Sequence, residues 1–309
     1  MRIAVVGAGA MGSVYAGLLG SAGNEVWAVD TWEARIAAIR ERGLRVEGAS
    51  GDRTVRIEAT TRAEEVGPVD LVIVSTKAMD VHDAARTARA LLREDTVVLP
   101  IQNGLGSADV VAAVVGDDRV VIGVAGGFGA SIVAPGHARH EGMELLRLGE
   151  LRGPASARVE RVAEVWRAAG FTVKTYDDVD ALVWEKLVCN VCFSATCGLL
   201  DATIGEVLDD PGAWAVASAC AVEATAVARA LGIELSFDDP VGHVRAFGQA
   251  IRPGRPSLLL DLRAGRCCEI DVLNGAVARA GRSVGVATPV NETVTALVKA
   301  LEARAAAAR

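Results

Sequence analysis

The 309-residue chain has little of what several function classes require. It has no basic block: 32 lysines and arginines stand against 39 acids, a net charge of −7. Nucleic-acid surfaces neutralise phosphates with clustered cations, so no nucleic-acid partner is expected. It has no uncharged apolar stretch of about 18 residues, and its N-terminus reads at once as a strand. Neither a membrane span nor a signal peptide is expected. It has four histidines, His82, His137, His140 and His243, and none falls in an H-x-E or H-E-x-x-H pattern. The six cysteines (Cys189, Cys192, Cys197, Cys220, Cys267, Cys268) lie in apolar segments, which suits buried free thiols in a reducing compartment. Cys189 and Cys192 form a C-x-x-C, but no second pair and no histidine stands at zinc spacing, so core packing is the expected role. A cytoplasmic protein without a metal is expected.

What the chain does have is a strand and a glycine turn at its start. The apolar run Arg2–Val6 leads into Gly7-Ala8-Gly9-Ala10-Met11-Gly12, and an apolar helix follows from Val14 to Leu19. This is the strand–turn–helix setting of the dinucleotide fingerprint G-x-G-x-x-G. Gly7 permits the tight turn, Gly9 lets the backbone approach a pyrophosphate, and Gly12 lets the helix pack close to the strand. The helix N-terminus offers unpaired N–H groups and partial positive charge to the phosphates. A second strand, Glu25–Val29, ends in Asp30, about 18 residues beyond Gly12 and near the usual spacing of about 20. A carboxylate there accepts hydrogen bonds from ribose hydroxyls and repels a 2′-phosphate, which favours NAD over NADP. Arg35 complicates that reading, because arginine can accommodate a 2′-phosphate.

Strands and helices alternate through the first half. Helices are expected at Trp32–Arg40 and Val81–Leu92. Strands are expected at Leu44–Glu47, Thr54–Ala59, Val69–Val74, Thr96–Ile101 and Val120–Val124. The Ala138–Leu148 region, after the Pro135-Gly136 turn, reads as antiparallel strands. The alternation predicts a doubly wound α/β domain over residues 1–175. From Asp178 onward the pattern is helical, with helices at Asp180–Thr196, Gly212–Ala230, Asp238–Ala250, Gly265–Ala280 and Val290–Ala307. A helical second domain is therefore placed at 176–309, with a cleft between the domains as the expected site.

Polar residues at strand ends mark that site. Ser75-Thr76-Lys77 follows one strand, and Gln102-Asn103-Gly104 follows the next. Carboxyl ends of strands in an open α/β sheet face the ligand crevice. Lys77 can bind a phosphate or a carboxylate there. In the helical half, Lys186, Asn190 and Ser194 recur at i, i+4 and i+8 and share one helix face. Their neighbours are almost all apolar, and a buried charge is costly unless paired. The candidate partner lies later, in the segment that Ser257 opens and that carries Asp261, Arg263, Gly265, Arg266, Glu269, Asp271 and Asn274. Glu269 and Asp271 stand at i and i+2, so one acid can face the cleft while the other pairs with Arg263 or Arg266. The residues alone do not say which.

The chain resembles the ketopantoate reductase (2-dehydropantoate 2-reductase) family over essentially its full length. The resemblance rests on GAGAMG at the start, STKA, QNG, WEKLVCN and SLLLDLRAGRCCEIDVLNG. It implies an N-terminal Rossmann domain with an all-helical C-terminal domain like that of 6-phosphogluconate dehydrogenase. It implies reduction of a 2-keto acid to a D-2-hydroxy acid, normally with NADPH, in pantothenate biosynthesis. It implies Lys186 as general acid, Asn190 and Ser257 as substrate contacts, and Asn103 as a contact to both cofactor and substrate. It further implies Lys77 near the nicotinamide and Glu269 as the hydrogen-bonding acid of the site. Ser194 stands where some members carry asparagine, and Thr31 stands where NADPH users carry a basic residue. The pair Asp30–Thr31 therefore speaks for NAD against the family norm of NADP. Two further readings stay open: an NAD-dependent D-2-hydroxyacid dehydrogenase acting on another branched or aromatic 2-keto acid, and a non-catalytic dinucleotide-sensing protein. The partner is a small-molecule 2-keto acid, and the sequence admits a homodimer.

Overall fold

The structure is a computed structural model and describes residues 1–127, 129–142 and 145–307. The chain divides into two compact units. One is Met1–Gln102 with Ser107–Val179, and the other is Asn103–Gly106 with Asp180–Arg309. The division after Val179 falls four residues beyond the one read from the sequence, because the last strand of the first unit ends at Thr175 and a short connection follows.

The first unit runs β1 (Arg2–Val6), α1 (Ala10–Ser21), β2 (Glu25–Val29), α2 (Glu33–Arg42), β3 (Leu44–Gly48), β4 (Arg53–Val55), β5 (Glu58–Thr60), β6 (Leu71–Val74), α3 (Val81–Ala88) and β7 (Val97–Pro100). It continues with α4 (Ser107–Val115), β8 (Val121–Gly126), β9 (Gly129–Ala134), β10 (His137–Gly142), β11 (Leu145–Glu150), α5 (Ala157–Ala168) and β12 (Val173–Thr175). The central sheet is parallel in the order β5-β2-β1-β6-β7. Every residue of β6 and β7 is buried, as unbroken apolar runs in a sheet covered on both faces should be. The register aligns Val6 with Val29 and Val74, and Val74 with Pro100. The chain therefore leaves β1, β2, β6 and β7 along one edge, at Gly7, Asp30, Ser75 and Ile101.

Helix α1 is buried from Gly12 to Leu19. Its Tyr15 meets Trp166 of α5 edge-on at 5.0 Å, and Trp166 meets Phe171 at 4.7 Å. Two smaller sheets, β4-β3-β10-β9 and β12-β11-β8, complete the unit. The expected strand Thr54–Ala59 is two strands. β4 pairs antiparallel with β3, and β5 pairs parallel with β2 at the edge of the central sheet. The Ala138–Leu148 region is not a hairpin of its own. β10 is antiparallel to β9 but parallel to β3, and β11 pairs with β8 and β12.

The second unit is helical: α6 (Asp180–Leu200), α7 (Ile204–Asp209), α8 (Pro211–Ala230), α9 (Pro240–Ala250), α10 (Ser257–Arg263), α11 (Asn274–Val284) and α12 (Pro289–Ala307). Helices α6 and α8 are as long and apolar as membrane spans, yet both supply the buried core of this unit together with Leu258, Leu273, Val277, Val294 and Val298. The sequence reading of one helix over Gly265–Ala280 is corrected. Leu273 takes non-helical dihedrals, so a 3-10 turn at Ile270–Val272 precedes α11.

Candidate active site

The glycine turn sits between β1 and α1. Gly7 has φ of +96° and donates its N–H to the Val29 carbonyl at 2.8 Å. A Cβ at Gly7 would lie 2.7 Å from the Thr76 backbone nitrogen, and one at Gly12 would overlap the Gly7 carbonyl oxygen. Packing alone therefore demands glycine at both positions. Ser75 Oγ donates to the Gly7 carbonyl at 2.8 Å, and Ser13 Oγ donates to the Ala8 carbonyl at 2.9 Å, so the turn is held from two sides. Gly9 differs. A Cβ there would meet nothing within 4 Å. Gly9 caps α1 without a side-chain hydrogen bond, and no acid lies in the first turn formed by Ala10, Met11 and their neighbours. Open space over an uncapped helix N-terminus fits a phosphate. The residues present thus fit the pyrophosphate of a dinucleotide.

Asp30 lies next to this turn, but its carboxylate is engaged. Oδ1 accepts the Trp32 N–H at 2.9 Å, and Oδ2 accepts Arg35 Nη1 at 2.6 Å. Thr31 is exposed and carries no charge. At the end of β6, Lys77 is exposed and opens the 3-10 turn Ala78–Asp80. At the end of β7, Gln102 Nε2 donates to the Val74 carbonyl at 2.8 Å and the Thr76 carbonyl at 3.2 Å. Gln102 thereby fixes the backbone just ahead of Lys77.

In the second unit, Lys186, Asn190 and Ser194 project from one side of α6. Lys186 and Asn190 are half-buried, and Ser194 is buried. The first turns of α6 are braced by the α8–α9 connection and by α9. Glu185 accepts the Ser236 N–H at 2.7 Å, and Cys189 Sγ lies 3.5 Å from His243 Nε2. Burial, reinforced by the Glu185 charge, pushes the Cys189 thiol up to about 12, which leaves it a packing residue at neutral pH. Further along, a Cβ at Gly198 would lie 2.6 Å from Leu258 Cδ2, so α10 packs close against α6. Ser257 is the first residue of α10 and is exposed.

Glu269 is buried and immediately precedes the Ile270–Val272 turn, with its carbonyl accepting the Val272 N–H at 3.1 Å. The Val272 carbonyl in turn accepts the Leu105 N–H at 2.9 Å. The segment Asn103–Gly106 thus belongs to the helical unit, and half-buried Asn103 is brought to the turn that Glu269 opens. The other acid, Asp271, is exposed and pairs with Lys299 of α12 at 2.5 Å. Its partner is neither of the arginines expected, since Arg263 pairs with Asp201 and Arg266 with buried Asp261. All six cysteines are free, and Cys267 alone among them is exposed.

Comparison with known proteins extends this geometry. Residues 3–153 match the family described as "Ketopantoate reductase PanE/ApbA", and residues 178–302 match "Ketopantoate reductase PanE/ApbA C terminal". The chain belongs to the ketopantoate reductase family. It is 31% identical over 302 residues to a 2-dehydropantoate 2-reductase of Archaeoglobus fulgidus, covering 97% of this chain and 98% of that protein. A ketopantoate reductase structure from Ralstonia eutropha superposes with a TM-score of 0.91 at 32% identity, over 99% of both chains. A D-mandelate dehydrogenase, solved with NADH and anilino(oxo)acetate, also gives 0.91, at 29% identity over 99% of both chains. In this member of the ketopantoate reductase family, three residues that the sequence placed at the site turn out to be supports. Gln102 and Ser75 lock the strand ends, and Asn274 anchors α6 by donating to the Val191 carbonyl at 3.1 Å. Their signal was polarity beside apolar runs, but each partner is distant in sequence.

Proposed function

We propose that this chain reduces a 2-keto acid to the D-2-hydroxy acid, with ketopantoate as substrate and D-pantoate as product. The observation that carries the reading is the half-buried lysine of α6, sharing its helix face with Asn190 and Ser194, in a chain matched by this family at both ends. A reduced nicotinamide, when bound, supplies the hydride to the keto carbon. Gly7, Ala8, Gly9, Ala10, Met11 and Gly12 would hold its pyrophosphate, Asp30 its adenosine ribose, and Lys77 with Asn103 the nicotinamide end. Asp30 and uncharged Thr31 favour NADH.

Lys186 is assigned the general acid. Lysine is an ammonium at neutral pH, and its Nζ–H donates a proton to the carbonyl oxygen as negative charge develops there. Such help is typically worth about 10² to 10⁴-fold. Asn190, Asn103 and Ser257 hold the keto acid by hydrogen bonds, Ser194 borders it, and Glu269 orients the ammonium or a substrate hydroxyl. The free thiols support a cytoplasmic setting.

A second reading, reduction of an aromatic 2-keto acid, is favoured by Ser194 in place of asparagine and by the likeness to D-mandelate dehydrogenase. Loss of absorbance at the nicotinamide band, with ketopantoate and phenylglyoxylate each offered with NADH and NADPH, separates the two. Ketopantoate turnover at the higher kcat/KM supports the first reading. Turnover of neither substrate with either cofactor sinks both.

A further inference from the structure

The helical unit has an apolar interior, yet Asn274 at the start of α11 and Asn291 near the start of α12 are both 0% exposed. Asn274 Nδ2 donates to the Val191 carbonyl of α6 at 3.1 Å and to Asn291 Oδ1 at 3.0 Å. Asn291 is itself fixed. Its Nδ2 donates to the Cys220 carbonyl of α8 and to Glu223 Oε2, which also accepts the Asn291 backbone N–H at 2.9 Å. The donor group of Asn274 is therefore aimed by its surroundings. Its Oδ1 is buried and accepts no hydrogen bond among the described residues. A buried carbonyl without a partner lowers stability, and an apolar side chain of similar shape would avoid that cost. Stability alone does not account for an amide here. A buried polar contact that fixes one arrangement of the core does.

The contact joins two pieces of the candidate site. Val191 directly follows Asn190 on the helix that carries Lys186. Asn274 follows the turn that Glu269 opens, and that turn is closed by backbone bonds: the Glu269 carbonyl accepts the Val272 and Leu273 N–H groups at 3.1 and 3.2 Å. Other polar ties of this stretch run to α11 and α12, from the Cys268 N–H to Glu302, from Arg279 to the Asp271 carbonyl and from Lys299 to the Asp271 carboxylate. We propose that Asn274 is a positioning residue for the reduction. It locks the Glu269 turn to α6 in one register, so that Glu269 stays placed to orient the Lys186 ammonium. A misplacement of about 1 Å is enough to slow a reaction about 100-fold. The inference rests on the general-acid reading of Lys186 given above.

Steady-state kinetics of the full chain tests this, with ketopantoate or phenylglyoxylate and the reduced cofactor that the parent turns over, below the melting temperature of every variant. Asn274→Leu keeps the core filled and removes the donor. It is expected to lower kcat roughly 10- to 100-fold, with KM moved far less, because a hydrogen bond in the ground state tolerates a shift that proton transfer does not. Asn274→Ser, too short to reach Val191, is expected to do the same and serves where the leucine variant does not fold. Val298→Ala, a cavity in the same core on α12, is expected to lower the melting temperature and leave kcat within about twofold. In a Lys186→Ala background, Asn274→Leu is expected to change kcat by less than about twofold, because a residue that acts through the lysine has nothing left to position. Parental kcat in both Asn274 variants, a loss confined to KM, a kcat loss matched by Val298→Ala, or multiplied losses in the double variant overturns the assignment. Lys186→Ala at the parental kcat overturns the general-acid reading itself.

Discussion

Leu105 donates its N–H to the Val272 carbonyl at 2.9 Å, and this bond fastens the segment that carries Asn103 to the turn that Glu269 opens. Gly104 makes the approach possible. It has φ of +83°, and a Cβ there would overlap the Val272 carbonyl oxygen. Gly104→Ala must therefore strain the backbone and push the segment off the turn at once. The expected loss of stability is roughly 1–3 kcal/mol, with kcat falling and, through displaced Asn103, dinucleotide affinity weakened as well. Thermal unfolding together with steady-state kinetics checks this. An unchanged melting temperature and unchanged kcat would show that the contact is incidental.

The glycine turn permits a sharper test, because its glycines serve different ends. Gly12→Ala should destabilise the first unit, since the new methyl overlaps the Gly7 carbonyl and overpacking of this kind typically costs about 1–3 kcal/mol. Gly9→Ala should leave the melting temperature within the small range of surface substitutions, about ±0.5 kcal/mol in stability. Its Cβ enters open space at an ordinary negative φ. The same methyl stands where a pyrophosphate would approach, so NADH affinity should drop at least tenfold. A Gly9→Ala protein that binds NADH normally would remove Gly9 from the phosphate site.

Much of this was legible in the sequence because the signals are local. The turn glycines, the apolar runs of β6 and β7, and the i, i+4, i+8 stripe on α6 depend on neighbours within a few residues. What was not legible depends on partners far along the chain. Glu269 and Asp271 are equivalent as residue types, and only Lys299, 28 positions away, draws Asp271 outward. Thr54–Ala59 is one β-favouring run, yet β3 and β2 recruit its two halves into different sheets. Asp30 is a carboxylate after a strand, but Arg35 and the Trp32 amide occupy both its oxygens.

The buried amides behind α6 form a connected set. Asn274 Nδ2 donates to the Val191 carbonyl and to Asn291 Oδ1 at 3.0 Å, while Asn291 Nδ2 donates to the Cys220 carbonyl at 3.1 Å and to Glu223 at 2.7 Å. Removing one member strands the others away from water. Asn291→Ala is expected to destabilise by roughly 1–3 kcal/mol, the penalty for an unsatisfied buried polar group. Denaturant unfolding at fixed slope measures it. A change below about 0.5 kcal/mol, the surface-substitution range, would mean that the set is held by packing instead.

The thiols give a pH dependence whose sign can be worked out. Burial raises Cys189, Cys197, Cys220 and Cys268 from 9.0 to about 12. In the unfolded chain these thiols ionise first, so alkali favours unfolding. Their contribution to stability is full below pH 9 and is lost as the pH rises from 9 toward 12. The melting temperature should fall across that window. In the native protein at pH 8, a thiol-specific disulfide reagent should label Cys267, the exposed one, with the other five reacting only after denaturation. Rapid labelling of several thiols in the folded protein would contradict the burial on which the sign rests.

Lys186 carries the largest consequence for turnover. It is half-buried on a helix whose surrounding residues are almost all apolar, so replacing it does not remove a major packing element. Lys186→Ala should lower kcat by about 10² to 10⁴-fold, the range for general-acid help. NADH affinity should stay close to the original, because the glycine turn, Asp30 and Lys77 lie in the other unit. Asn190→Ala, in contrast, should act mainly through KM, since a hydrogen bond made equally in ground and transition states changes binding without changing kcat. The contrast makes the assignment testable within one helix. Equal kcat for Lys186→Ala and the parent would remove the ammonium from the chemistry. A loss confined to KM would recast Lys186 as a carboxylate-binding group.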